Sequence, residues 1–293
     1  MAVDERTTAQ EVEFVADGLT LRGKYWPGHG QPILALHGWM DNAASFDSLA
    51  AASALQKHPF IALDLHGHGL SDHKPPSGSY GIWEDLRGLA QVTQQLRQDF
   101  SAEQLILLGH SRGAIVASLL AATLPDQFSH LICLDGFVAD AASGDDLPEQ
   151  LRRHIVDFAV PPKGGSPCGD LERLVAARMK KGLMSDQAAR RLVERNTELR
   201  SDGQRYWRSD RRLALASPVK LVKSQWQAVV DAITVPTRVF AASRGLGPRL
   251  VSLPITLHEG IEVVPVDGDH HCHMEGEMTE ELATQIAAFC RQR

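Results

Sequence analysis

The run Leu105-Ile106-Leu107-Leu108-Gly109-His110-Ser111-Arg112-Gly113-Ala114-Ile115-Val116-Ala117 constrains this chain more than any other stretch. Its apolar start is short enough for a strand buried on both faces of a parallel sheet, and the mostly apolar pattern from Ala114 to Ala122 is helical. Between them the chain must reverse sharply, with Ser111 at the apex. Gly109 and Gly113 remove the side chains that would obstruct so tight a strand, turn and helix. The hydroxyl is then lifted above the sheet with helical backbone N–H groups behind it, as in a nucleophile elbow. A serine hydroxyl is a poor nucleophile at neutral pH, so the elbow has a use only if the chain also supplies a base, an orienting acid and oxyanion donors.

The rest of the pattern predicts the sheet. Glu11 to Ala16 and Leu19 to Trp26 read as two strands joined at Asp17-Gly18, a strong hairpin signal, and they form an antiparallel edge. Strands follow at 32–36, 60–64, 105–108, 131–136, 237–242 and 261–266, with helices predicted at Phe46 to Gln56, Ile82 to Phe100, Ala114 to Ala122 and Glu280 to Gln292. Strand alternating with helix implies right-handed crossovers and a parallel sheet covered on both faces. Chemistry in such sheets collects at the carboxyl ends of the strands, which puts His37-Gly38-Trp39, Asp64, Ser111 and Asp135 on one rim.

The alternation breaks from Asp140 to about Gln225. No strand is predicted there, and helices are expected at 148–158, 171–182, 185–197 and, at its end, 221–233. This segment carries 17 Lys/Arg against 12 Asp/Glu, whereas the whole chain has a formal charge of -6. A basic helical insertion between two runs of sheet is expected to form a cap. The predicted organisation is therefore a core of 1–139 and 226–293 interrupted by a cap of 140–225. The acidic overall balance argues against a nucleic-acid partner. Met1 to Gln10 is polar without an apolar segment, and no run reaches the length of a membrane span, so neither a secretory leader nor a membrane partner is expected. Four well-separated cysteines without a C-x-x-C pair suggest reduced thiols and a cytoplasmic setting. A homodimer is compatible with the sequence.

The base should come from the loop after the last strand, Asp267-Gly268-Asp269-His270-His271-Cys272-His273, and His270 is the choice because it follows Gly268 by two residues. The same residue types ligate metals, but adjacent side chains on one short loop diverge, and no metal or other cofactor is expected. Asp-His-His-Cys also occurs in membrane acyltransferases, a reading that the absence of spans leaves unsupported. His271 and His273 are expected to pack around the base.

Taken together, Gly109-His110-Ser111-Arg112-Gly113, His37-Gly38-Trp39, the Asp64 to Ser71 loop and Gly268-Asp269-His270 resemble the α/β-hydrolase superfamily, in the same order along the chain. Within the cap, Asp170 to Arg173, Ala189 to Arg195 and Tyr206 to Leu213 resemble its serine hydrolase-like branch. The resemblance implies an α/β-hydrolase fold, with a mostly parallel twisted sheet, helices on both faces and an inserted helical cap. It implies Ser111 as nucleophile, His270 as base and the backbone N–H groups of Trp39 and Arg112 as oxyanion donors. Members commonly carry the acid after the next-to-last strand, but there this chain reads Ala241-Ala242-Ser243-Arg244-Gly245-Leu246-Gly247, without a carboxylate. Some members place it one strand earlier, where Asp135 stands. The alternative is that Asp135 merely caps the turn into the cap and the triad is incomplete.

His37, His110, Trp207 and Trp226 are candidate pocket residues, with Tyr206 and Phe158 as further candidate walls, although aromatic residues in helices more often belong to the core. Asp64 reads as structural. The expected activity is hydrolysis of small carboxylic esters through an acyl-enzyme, with a small-molecule ester as partner. The same triad could instead cleave a carbon–carbon bond in a diketone-like acid, and a non-catalytic ligand-binding protein is the alternative from another class. Dehalogenases and epoxide hydrolases use aspartate where this chain has Ser111.

Overall fold

The computed structural model describes residues 8–160 and 165–292. The start of the chain, read above as lacking a secretory leader, lies largely outside the described residues.

The strands β1 (Gln10–Ala16), β2 (Leu19–Trp26), β3 (Ile33–Leu36), β4 (Phe60–Leu63), β5 (Leu105–His110), β6 (Phe128–Leu134), β9 (Thr237–Ala242) and β10 (Ile261–Val266) form one sheet in the order β1-β2-β4-β3-β5-β6-β9-β10. β1 pairs antiparallel with β2 and β2 with β4, and the remaining pairs are parallel. The Asp17-Gly18 turn has both residues at positive φ, 56° and 74°, which brings β1 and β2 into register as the predicted edge hairpin.

Alternate residues of the central strands feed two cores. Leu34, Leu36, Ile61, Leu63, Leu105 and Leu107 face one side, where they meet α2 (Leu86–Asp99), α3 (Arg112–Thr123), α7 (Lys223–Ala232) and α8 (Gly247–Val251). Ile33, Ala35, Phe60, Ala62, Ile106 and Leu108 face the other, against α1 (Asp47–Ala51) and α9 (Gly276–Phe289). This is the α/β-hydrolase architecture.

Between β6 and α7 the chain forms α4 (Leu147–Ala159), α5 (Leu171–Gly182) and α6 (Asp186–Arg195). The cap helices α5 and α6 pack on each other through Leu174, Val175, Ala188, Ala189, Leu192 and Val193. Each begins with a side-chain cap: Asp170 accepts from the Arg173 amide and Ser185 from that of Ala188.

Three predicted elements need correction. The segment thought to lack strands holds a hairpin of β7 (Thr197–Leu199) and β8 (Arg205–Trp207). Its turn carries Asp202-Gly203, with the Asp202 carboxylate accepting from the Gln204 amide and Gly203 at φ 74°. This is the same dipeptide that marks the first hairpin, here overshadowed by the helical periodicity around it. The helix expected at 46–56 is reduced to a 3-10 turn and α1, because the chain becomes extended at Ala52. The helix expected from Ile82 begins only at Leu86, after turns at 82–85.

The cap is tied to the core by charge. Arg195 of α6 donates to both oxygens of the fully buried Asp64 (3.0 Å each) and to Glu11 (2.6 and 3.0 Å). Breaking such a pair leaves an uncompensated buried charge. Arg195→Met should therefore cost about 3 kcal/mol or more, measured as the shift in urea unfolding midpoint at constant slope. A loss below about 1 kcal/mol would mean that water reaches Asp64.

Candidate active site

Ser111 sits between the end of β5 and the first turn of α3 at φ 51° and ψ −119°, a conformation that L-residues rarely adopt. Its amide donates to the Leu134 carbonyl (3.0 Å), which ties the elbow to the end of β6. A side chain at Gly113 would strike the Leu36 carbonyl, and one at Gly109 would meet Gly113 and Ala114. The glycines of the motif thus let the elbow helix press onto β3.

Ser111 Oγ–H donates to His270 Nε2 (2.9 Å), and His270 Nδ1–H donates to Asp135 Oδ2 (2.6 Å). The Asp135 carboxylate is buried and also accepts from the amides of Ala242 (2.9 Å) and Leu246 (2.8 Å). Elements distant in sequence therefore converge: Ser111 from β5, Asp135 from β6 and His270 from the loop after β10. No backbone hydrogen bond of the described residues uses the Trp39 or Arg112 amide. A Cβ on Gly38 would lie 3.2 Å from that of Ser111, so the Gly38 backbone, next to Trp39, approaches the nucleophile closely. The Trp39 indole N–H donates to the Leu213 carbonyl of the cap segment (3.0 Å).

The other candidate residues separate into two kinds. Trp226 lines a cavity of about 340 Å³ shared with Trp39, Tyr80, Ile82, Arg112 and Leu213, although most of its side chain is core beneath α3. Trp207 lines a second cavity of about 270 Å³ between α5 and α6. His37 and His110 are fully buried and are not among the residues lining the two cavities above. His37 Nδ1–H donates to the Gly38 carbonyl (2.7 Å) and its Nε2 accepts from the Leu65 amide (2.9 Å), joining the loops after β3 and β4. His110 Nε2–H donates to the His270 carbonyl (2.9 Å). Asp64 is structural: besides Arg195 it accepts from the amides of Ala43 and Leu70. Tyr206 and Phe158 line smaller outer clefts.

Sequence reasoning overlooked the carboxylates that neutralise this rim. Asp85 takes the Arg112 guanidinium (2.9 Å). Burial pushes the Asp85 carboxyl up, but Arg112, His66 and Lys74 together outweigh this and hold it far below the usual range. Asp41 bonds Arg178 of the cap, accepts from His271 Nε2 (3.2 Å) and lies 3.5 Å from His110 Nδ1. Burial works against its charge, and His271, His110 and Arg178 together overcome that. Asp41, His110 and His271 are also a metal-type trio, with ligand atoms within 4.8 Å of one another. The cation beside this carboxylate is already the Arg178 guanidinium, which reaches to 3.5 Å of His271 Nε2. The Arg in Gly-His-Ser-Arg-Gly is the one available signal, because a cation beside a half-buried nucleophile requires a partner.

A protein-family model described as the alpha/beta hydrolase fold matches residues 31–252. The chain belongs to this family. It is 27% identical to a serine hydrolase-like protein of Danio rerio, over 97% of this chain and 89% of that protein. The crystal structure of the hypothetical protein PA1622 from Pseudomonas aeruginosa PAO1 superposes with a TM-score of 0.85 at 32% identity, covering 97% of this chain and all of that one. A thermophilic esterase from Thermogutta terrifontis shares the fold, with a TM-score of 0.67 at 18% identity over 97% and 99% of the two chains. No helix among the described residues is long and apolar enough to cross a membrane.

Burial depresses the pKa of His37 and of His110 to about 4. An unfolded chain binds these protons below about pH 6.5 while the folded one does not, so stability is full above that value and falls as pH drops towards 4. The thermal midpoint should decline steadily across this window. A midpoint that stays flat from pH 6.5 to 4.5 would show that the two imidazoles take up protons without unfolding.

Proposed function

We propose that this chain is a serine hydrolase cleaving small carboxylic esters, with Ser111, His270 and Asp135 as its triad. The observation that carries the reading is the unbroken hydrogen-bond chain from Ser111 Oγ through His270 to Asp135, at 2.9 and 2.6 Å.

Ser111 Oγ attacks the ester carbonyl as its proton passes to His270 Nε2, and Asp135 stabilises the imidazolium through Nδ1–H. The amides of Trp39 and Arg112 receive the negative charge on the carbonyl oxygen. The tetrahedral intermediate collapses, the alcohol leaves with the proton from His270, and the acyl group remains on Ser111. Water, losing a proton to His270, then attacks the acyl-enzyme and releases the acid. Residues 140–225 act as the cap, and the cavity at Trp39, Arg112 and Trp226 receives one half of the substrate beneath it. Arg112 serves the site twice, its amide facing the oxyanion while its guanidinium is held by Asp85. The four cysteines are free thiols, which fits work in the reducing cytoplasm.

A panel of p-nitrophenyl esters of increasing acyl length, run beside a fluorophosphonate label, tests the reading. Ser111→Ala should abolish both turnover and labelling, and turnover that survives the substitution removes Ser111 from the mechanism. Asp135→Asn should lower kcat by about 1,000- to 10,000-fold, because a neutral amide holds the wrong tautomer and cannot support the imidazolium. Wild-type kcat in that variant across the pH range would assign the acid elsewhere.

A further inference from the structure

Ion pairing sorts the cations of the cap. Arg195 is bound by Asp64 and Glu11, Arg178 by Asp41, Arg190 by Glu172 and Asp186, and Arg212 by Asp210. Lys181, in the last turn of α5, is not bound in this way, and neither is Lys180 or Lys220. No carboxylate among the described residues pairs with Lys181, and its ammonium stands over the Trp39 ring, 5.6 Å from the centroid. A lysine on an exposed helix normally reaches into water. Lys181 is exposed too, but a cation–π contact holds its charge beside Trp39, the residue proposed to supply an oxyanion amide.

Lys181 also lines the cavity of about 270 Å³ between α5 and α6, whose walls include Leu174, Leu192, Val193 and Trp207. The carboxylate in this lining, Asp210, is already taken by Arg212 and by the Tyr80 hydroxyl (2.7 Å), and Ser209 donates to Asn196 (2.8 Å). An incoming molecule therefore meets apolar walls, the Arg178 guanidinium already held by Asp41, Arg211 beside Asp210, and at the Trp39 side the Lys181 ammonium, which no carboxylate of the described residues holds. We propose that the substrate bears a carboxylate on the half entering this cavity and that Lys181 selects it. The inference rests on the serine-hydrolase reading. A flexible ammonium above apolar walls suits a monoanionic carboxylate on a hydrocarbon chain. A phosphate calls for several converging N–H donors.

Two ester pairs test it, each matching a carboxylate with its neutral isostere. Mono-p-nitrophenyl glutarate against p-nitrophenyl 5-methylhexanoate places the charge on the acyl half. Acetoxybutyrate charged at its far end, against 4-methylpentyl acetate, places it on the alcohol half. In one pair the charged ester should show a kcat/KM about fivefold above its isostere at low salt, approaching parity at about 0.5 M salt. Lys181→Met should remove that ratio and Lys181→Arg should keep it. Neutral esters turned over with no charge preference in either pair would overturn the inference and leave the hydrolase reading standing. A preference that survives Lys181→Met, or that Lys220→Met removes instead, would overturn it as well, since Lys220 lines the other cavity. Fluorophosphonate labelling of Ser111 without turnover of any ester, charged or neutral, would overturn the inference while leaving Ser111 a reactive nucleophile. Neither labelling nor turnover would reject both readings.

Discussion

Much of the rim depends on how the Asp135 carboxylate is satisfied. The side chain is buried at the end of β6, and its oxygens accept from the Ala242 amide, the Leu246 amide and His270 Nδ1. A buried carboxylate without such donors would be costly, so the turn after β9 and the loop after β10 must both close onto it. Gly245 shows the constraint from the other side, because a Cβ there would strike Asp135 Oδ2. The turn after β9 carries no acid of its own because it is built to receive one from the neighbouring strand.

The charge asymmetry of the chain has a related cause. Asp41, Asp64 and Asp85 are buried in loops near the rim, and each is matched by an arginine: Arg178 and Arg195 from the cap, and Arg112 from the elbow helix. Two of the cap's cations are therefore turned inward. Pairs of this kind add little net stability compared with well-packed apolar residues, yet they are costly to break once formed. They fix where α5 and α6 sit over the rim. Helix α4 has no buried residue and leaves Ile155 and Val156 exposed, so it contributes little to that anchoring.

Legibility followed the strength of local patterning. The strands of the sheet could be read because short apolar runs bounded by glycine and proline have few alternatives, and the elbow because its glycines admit one geometry. The hairpin at Asp202-Gly203 was lost where two short strands lie among strong helix formers. The contact of His270 with Asp135 was approachable from loop position together with the family resemblance, which a sequence carries. The directions of His37 and His110 were not, because a residue at a strand end can turn towards the cleft or beneath it. Asp41 and Arg178 were illegible for a further reason: they are 137 residues apart, and neither motif names the other.

His110 shows what that hidden pair does. Its Nε2–H is committed to the His270 carbonyl, so in the neutral ring Nδ1 presents a lone pair towards Asp41 Oδ2, 3.5 Å away. A lone pair facing a carboxylate is repulsive; a proton on Nδ1 would turn the contact into an attraction that favours the Asp41 charge, and otherwise the repulsion is relieved by groups on the carboxylate, of which His271 Nε2 already reaches the same oxygen. Burial opposes the proton, which leaves those groups, and Arg178 adds a cation from the cap. A neutral His110 beneath the His270 loop and a cap seated through Arg178 are thus one electrostatic arrangement. The cap belongs to the site through this contact as well as through the cavities that it covers.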